Sequence, residues 1–348
     1  MNGKVIIAAH HYQRPSIVAR AALVGDSYRL AVEAGKSDAE YVVLCGVRFM
    51  AESAAIFARE GQKVLLPDWD AGCPMADMID AETARDVLDS LRARTGKRVV
   101  PVTYMNSWAD LKALTGREGG SICTSGNAKK IVLHFLDQGL PIFFLPDFNL
   151  GINTARELGI PDSAIRRVLR DGSLAKVDGD DPVGAELDAA NPDDDVRMFL
   201  WDGFCHVHRH FTPEHVRAAR ERDPTVRVIV HPECKPETVL AADASGSTEA
   251  MYRMLKDASD GTSWAIGTEG RFVERMISEF PEKKIRHLFV SYCHNMDKID
   301  DAALDATLKT IERHEKTGEP LNAVTIDAKV KADAALALDA MVRVTEAK

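Results

Sequence analysis

Short apolar runs that stop abruptly at polar groups recur along this chain, and their order sets the predicted architecture. Val5–Ala9 reads as a buried strand and ends at His10, His11, Tyr12 and Gln13. An amphipathic stretch covers Ile17–Val24, followed by a turn at Gly25-Asp26-Ser27 and a helical pattern over Tyr28–Ala34. Tyr41–Leu44 is the next strand and opens into Gly46; Arg48–Arg59 reads as a helix; Val64–Leu66 is a third strand, with Cys73 just beyond it. The order then repeats. Val99–Val102 ends at Tyr104, Met105, Asn106 and Ser107, Cys123-Thr124-Ser125-Gly126 opens a helix over Asn127–Asp137, Ile142–Leu145 opens into Pro146, and Met198–Trp201 delivers Cys205. A third pass runs from Val226–Val230, ending in His231-Pro232-Glu233-Cys234, through Gly246-Ser247-Thr248 and Trp264–Ile266, to Leu288–Val290 and Cys293.

The spacings agree between passes. Tyr12 to Ser27 is 15 residues, Asn106 to Ser125 is 19, and Glu233 to Thr248 is 15. The turn to the next strand end takes 19, 21 and 19 residues (Ser27 to Gly46, Ser125 to Pro146, Thr248 to Gly267). Gly46 to Cys73 is 27 and Gly267 to Cys293 is 26, but Pro146 to Cys205 is 59. The second pass therefore carries an insertion of about 32 residues relative to its sisters. It is expected within about 162–197, around Asp178, Asp180, Asp181, Asp193, Asp194 and Asp195, as a solvated surface excursion.

Strands alternating with helices predict the α/β class, with parallel sheets covered by helices on both faces. The repeats divide the chain into a first unit over 1–78, a second over 79–204 with the acidic insertion, a third over 205–300 and a C-terminal helical extension over 301–348. The extension holds two helical stretches, Asp301–Lys316 and Ala328–Thr345, which read as packing elements. Three such units related by pseudo-threefold symmetry gather three sets of strand C-termini, where ligands bind in α/β sheets.

Each pass supplies the same chemistry. The first strand ends in i, i+2 pairs, His10 and Tyr12, Tyr104 and Asn106, His231 and Glu233, which point the same way on an extended chain. Next comes a hydroxyl before a helix: Ser27, Ser125, and Ser247 with Thr248. Hydroxyls and free N–H groups at a helix start suit an anion. Last comes a cysteine after an apolar run: Cys73, Cys205, Cys293. Three thiolates holding an iron–sulfur cluster leave one iron an open position, since a cubane usually takes four. An open iron is a Lewis acid for dehydration or condensation. His208, three residues after Cys205, is a further candidate for the site, while His11, His210 and His294 read as structural or solvent-facing. Cys45, Cys123 and Cys234 hold unequal places in their passes and read as buried structural residues. Two other readings compete: a zinc or mononuclear iron hydrolase using these cysteines with His208, and a redox sensor or anion-binding module. No HExxH or compact CxxC motif favours the first, and acid/base pairs in every pass argue against the second.

Composition narrows the partners. A net charge of −9 disfavours nucleic acid, which needs a basic face. No apolar run approaches the roughly 20 residues of a membrane span, and the first residues carry no signal-peptide pattern. Six cysteines among 348 residues do not form a disulfide framework. A reducing cytoplasm and small-molecule substrates are expected.

The motifs AHHYQ, GDS, GVRFMAE, KVLLPD, GCPMAD, YMNS, CTSGNA, PDFNLG, CHVH, VIVHPEC, GST, IGTEG and CHNM, taken in order from residue 5 to about 300, closely resemble the quinolinate synthase family. The resemblance implies three α/β/α domains around a 4Fe–4S cluster held by Cys73, Cys205 and Cys293, one per domain. It implies condensation of iminoaspartate with dihydroxyacetone phosphate to quinolinate, with release of phosphate and two waters, in NAD biosynthesis. An L-aspartate oxidase or aspartate dehydrogenase would supply the iminoaspartate. Carried over by position, Tyr12 and Glu233 resemble the acid/base groups, with His231 and Tyr104 assisting. His10, Ser27, Tyr104, Asn106, Ser125, His208, His231, Glu233, Ser247 and Thr248 resemble substrate contacts. The chain departs from many members in starting almost at the first strand and in its long acidic insertion. His294, Asn295 and Met296 follow Cys293, so the CxxC redox pair of some members is not expected.

Overall fold

The computed structural model describes residues 4–177 and 195–347. Asp178, Asp180, Asp181, Asp193 and Asp194 lie outside the described residues. The first pass is β1 (Val5–His10), α1 (Pro15–Arg20), β2 (Leu23–Gly25), α2 (Ser27–Lys36), β3 (Tyr41–Cys45), α3 (Arg48–Phe57), β4 (Lys63–Leu65) and α4 (Ala81–Thr95). The second is β5 (Val100–Tyr104), α5 (Ala109–Arg117), β6 (Ser121–Cys123), α6 (Ala128–Leu136), β7 (Ile142–Leu145), α7 (Phe148–Glu157), β8 (Ile165–Val168), β9 (Leu174–Ala175), β10 (Met198–Trp201) and α8 (Pro213–Arg222). The third is β11 (Arg227–Val230), α9 (Pro236–Ala241), β12 (Ala244–Ser245), α10 (Thr248–Asp257), β13 (Ser263–Gly267), α11 (Gly270–Glu279), β14 (Lys284–His287) and α12 (Asp301–Thr317); α13 (Ala328–Glu346) closes the chain.

The protein is α/β, and its three sheets share one strand order. They run β2-β1-β3-β4, β6-β5-β7-β10 and β12-β11-β13-β14, with β8 and β9 added to the outer edge of the second. Every pair is parallel except β8 with β9. Strands buried on both faces explain why they read as apolar runs without alternation.

The chain forms two compact units. One comprises Met1–Cys73, His210–His231 and Leu240–Asp327; the other comprises Pro74–Arg209, Pro232–Val239 and Ala328–Lys348. The first contains the first and third sheets, with a core of Ile229, Leu255, Trp264, Ile266, Phe272 and Met276. The second contains the six-stranded sheet, cored by Leu88, Leu111, Phe143, Phe199 and Trp201. In this unit α13 lies against α5 and buries Ala334, Ala337, Leu338 and Met341 completely.

Three expectations change. First, the described start of the predicted insertion is not a solvated excursion. β8 pairs with β10 along its whole length, with Ile165, Arg166 and Val168 buried, so this part builds sheet rather than loop. Second, the last strand of the third pass is Lys284–His287, and the apolar Leu288–Val290 follows it. Its Lys-Ile-Arg-His sequence sits on a sheet edge, where only Ile285 faces the core, so no apolar run marks it. Phe289 and Val290 are exposed. Third, Ile17–Val24 is not one amphipathic element but the end of α1 and the start of β2.

Candidate functional site

The backbone brings the three passes into one register. The first helical residue after the third strand donates to the carbonyl two residues before the cysteine in each: Arg48 to Ala71 (2.8 Å), Phe148 to Gly203 (2.9 Å) and Gly270 to Ser291 (2.8 Å). A short 3-10 turn then begins three residues after each cysteine, at Ala76, His208 and Met296. A helix starts eight residues after each cysteine, at Ala81, Pro213 and Asp301, behind caps at Asp80, Thr212 and Asp300. Cys73, Cys205 and Cys293 therefore hold one structural position three times. Strand pairing extends the match: Ala9 pairs with Cys45, Thr103 with Leu145 and Val230 with Gly267. His10, Tyr104 and His231 follow at one position, and Tyr12, Asn106 and Glu233 at another.

Those i, i+2 pairs are not on extended chain. Tyr12, Asn106 and Glu233 sit in turns just past the strands, where Gln13 N–H donates to the His10 carbonyl (3.0 Å) and Ser107 N–H to the Met105 carbonyl (2.8 Å). Polar groups at the strand ends explain the turn: His10 Nδ1 accepts from Tyr12 N–H (3.2 Å), and Ser107 Oγ donates to the Tyr104 carbonyl (2.9 Å). Lys112, fully buried, also donates to the Ser107 carbonyl.

In the second unit Tyr104, His208 and Glu233 meet. The Tyr104 hydroxyl donates to Glu233 Oε1 at 2.5 Å, and His208 Nδ1 lies 2.6 Å from Glu233 Oε2. His208 and Glu233 are buried, at 1% and 2% exposure. Asn153 Nδ2 fixes the turn carrying Glu233 by donating to the carbonyls of Pro232 (2.8 Å) and Cys234 (2.9 Å). Cys205 Sγ, a His208 ring nitrogen and a Glu233 oxygen lie within 4.8 Å of one another, a set that could hold a metal ion. Buried polar groups must be hydrogen-bonded to be tolerated, and this cluster satisfies that through its own members.

In the first unit the Tyr12 hydroxyl bonds Thr268 Oγ1 at 2.9 Å, and Gln13 Nε2 donates to the Met296 carbonyl (3.0 Å) in the turn after Cys293. His10, Ser27, His231, Ser247 and Thr248 are buried here. Ser27 is the first residue of α2, after its cap Asp26, whereas Ser247 itself caps α10. Ser125 is half-buried between β6 and α6, and Asn106 half-buried after β5. His11 is buried, not solvent-facing: Arg275 donates to its Nδ1 (2.7 Å), and its Nε2 lies 3.4 Å from Glu249. His210 and His294 are exposed and His206 half-buried.

The bond from His11 holds Glu249 down at about 2, with added help from Arg253. A depressed carboxyl contributes stability that is present above its unfolded value and lost as pH falls through the folded one. Glu249→Gln is therefore expected to flatten the acid loss of stability between pH 4.5 and about 2, read by urea midpoints across that range.

Two carboxylates escaped the sequence reading. Asp147 caps α7 and Glu269 caps α11, and each also accepts the cysteine's backbone N–H: Cys205 to Asp147 Oδ2 and Cys293 to Glu269 Oε1, both 3.1 Å. Val47 occupies the same position in the first pass. Burial raises Asp147 well above the usual carboxylate range, with the charge of Glu233 adding to it; burial raises Glu269 to about 7 against its N–H bonds. The signal was present in PDFNLG and GTEG as an acidic residue between strand and helix.

The cysteines separate into two groups. Cys73, Cys205 and Cys293 are partly accessible, while Cys45, Cys123 and Cys234 are buried. Burial pushes the Cys45 thiol up to about 12 and raises that of Cys123 strongly, which suppresses the thiolate a metal requires. Cys73 and Cys293 belong to the first unit and Cys205 to the second.

The three like-ordered parallel sheets and the buried Tyr–Glu–His chain beside a partly accessible cysteine define an α/β protein with a built polar site. The profile of the family described as quinolinate synthetase A protein matches residues 1–343. A quinolinate synthase of Bacillus cereus is 41% identical over 344 residues, 98% of this chain and 89% of its own length. One from Streptomyces coelicolor is 43% identical over 351 residues (98% and 84%), and one from Bacillus subtilis 40% over 345 (98% and 89%). The chain belongs to the quinolinate synthetase A family and is an enzyme of that type. Among the described residues, no helix is long and apolar enough to cross a membrane.

Proposed function

We propose that this enzyme condenses iminoaspartate with dihydroxyacetone phosphate to give quinolinate, phosphate and two waters, as a step of NAD biosynthesis in the cytoplasm. An L-aspartate oxidase or aspartate dehydrogenase supplies the iminoaspartate. The observation that carries the reading is the buried Tyr104–Glu233–His208 chain beside Cys205, in a member of this family. Imine formation, dehydration and phosphate loss all need proton transfer by positioned groups, and Glu233 sits between two hydrogen-bonding partners able to pass a proton at Oε1 and Oε2.

Cys73, Cys205 and Cys293 would hold a 4Fe–4S cluster. Their shared backbone position and partial accessibility fit a thiolate donor set, in contrast to the three sealed cysteines. When bound, the cluster supplies an iron with an open position, a Lewis acid for an oxygen of the substrate. Glu233 and Tyr12 act as the acid/base pair, with Tyr104 and His231 assisting. Thr268 orients the Tyr12 hydroxyl. His10, Ser27, Asn106, Ser125, His208, Ser247 and Thr248 contact substrate, the hydroxyls and helix starts receiving carboxylate and phosphate. In this reading the three passes act as three α/β/α domains, with residues 301–348 as a packing extension.

The test is product formation. Anaerobically reconstituted protein given both substrates should release quinolinate and inorganic phosphate one to one. Phosphate release without quinolinate, at full iron content, would contradict the reading.

A further inference from the structure

We propose that Cys205, His208 and Glu233 form a second, mononuclear metal site, which takes a Zn2+-like divalent ion when the chain carries no cluster and thereby blocks cluster assembly. Among the described residues this is the one group of three side chains of metal-ligating type whose ligand atoms converge within 4.8 Å. Thiolate, imidazole and carboxylate together suit Zn2+ and its spectroscopic substitute Co2+.

The geometry is close to what such an ion needs. Bonds of about 2.3 Å to sulfur and about 2.0–2.2 Å to nitrogen and oxygen in a tetrahedron place ligand atoms roughly 3.3–3.7 Å apart. The widest spacing, at most 4.8 Å, closes by about 1 Å, and the 2.6 Å His208–Glu233 contact opens by somewhat less. Small rotations of three side chains on one turn and one neighbouring loop achieve both. The ion would replace the hydrogen bond that now joins His208 to Glu233, with the imidazole proton carried on Nε2, and would release the thiol proton of Cys205.

The surroundings suit a bound ion. His208 and Glu233 are almost fully buried, whereas Cys205 is partly accessible and offers an entry path. Tyr104 holds Glu233 through its other oxygen, and Asp147 holds the backbone N–H of Cys205. Such outer partners orient metal ligands and strengthen their affinity. Three protein ligands leave a fourth position open, as in metal sites that also bind a small molecule.

That the site blocks assembly rests on the cluster reading above, because the Cys205 sulfur cannot serve both metals. The mononuclear site itself does not depend on that reading. It differs from a zinc centre on the three repeat cysteines, since it uses only one of them.

Anaerobic titration of the cluster-free full-length chain with Co2+ tests the site. One Co2+ per chain is expected, with the visible bands of a tetrahedral ion and a near-ultraviolet thiolate-to-cobalt band. Cys205→Ser should abolish the thiolate band, and His208→Gln should weaken binding about tenfold or more. Cys73→Ser should leave the Co2+ spectrum unchanged. No Co2+ binding, a thiolate band that survives Cys205→Ser, or a spectrum lost in Cys73→Ser would overturn the site. Preloading with one Zn2+ should prevent iron and sulfide uptake on reconstitution; full uptake with the zinc retained would overturn the exclusion. Failure of the cluster reading is separately visible, as a Cys73→Ser chain that still acquires full cluster iron.

Discussion

Glu233→Gln is expected to lower the rate of quinolinate formation by about 10²–10⁴-fold, the usual worth of a positioned acid/base group. The substitution preserves shape. Its amide oxygen still accepts from the Tyr104 hydroxyl, now 2.5 Å from Glu233 Oε1. Its amide nitrogen faces His208 Nδ1, 2.6 Å from Glu233 Oε2, and forces that nitrogen to accept. The carboxylate's capacity to take and return a proton is lost while the packing around a residue only 2% exposed is kept. Steady-state assays normalised to iron content separate this from damage to metal binding. A variant within threefold of wild type, together with an equally active Tyr12→Phe, would remove both residues from the acid/base role.

Gly116→Ala is expected to destabilise the protein, although the same change in an isolated helix stabilises by about 1 kcal/mol. Gly116 lies in α5 beneath α13, and an added Cβ would come within 1.9 Å of the Asp333 carbonyl oxygen and 3.1 Å of Leu336 Cβ. The obstructing atom is backbone, so the helices must separate. Overpacking of this kind costs about 1–3 kcal/mol, occasionally more. The facing sides of the two helices are buried: Leu111, Ala113 and Leu114 on α5, Ala334, Ala337, Leu338 and Met341 on α13. A Tm lower by several degrees is the expected result, on the scale of about 2–4 °C per kcal/mol for domains of moderate size. An unchanged or raised midpoint in a circular-dichroism melt would show that α13 is not seated on α5 in this way.

Legibility of the fold followed burial. Strands buried on both faces, such as Val5–His10 and Ile142–Leu145, stand out as apolar runs, and their order discloses the threefold repeat. Lys284–His287 does not, because an edge strand carries charge where a central one cannot. β8 was hidden for a related reason: its Arg166 and Arg167 look like loop residues, yet Arg166 is buried with its guanidinium donating to the Ser163 and Ile165 carbonyls. The spacing of Cys73, Cys205 and Cys293 was readable because each ends the same backbone motif. The clamps on two of them were not, since a carboxylate that caps a helix and also holds a distant N–H looks in sequence like a cap alone. His208 and Glu233 are 25 residues apart along the chain, and only the fold shows that their side chains meet.

The cluster proposed on Cys73, Cys205 and Cys293 is the claim to test first. The measurement is an anaerobic ultraviolet–visible spectrum with iron and sulfide analysis, after reconstitution in zinc-free buffer, on wild type, Cys205→Ala and Cys123→Ala. Wild type and Cys123→Ala should be brown with about four irons and four sulfides per chain, and Cys205→Ala should lose both colour and iron. A wild-type chain that stays colourless, or a Cys205→Ala chain that keeps its iron, would contradict it.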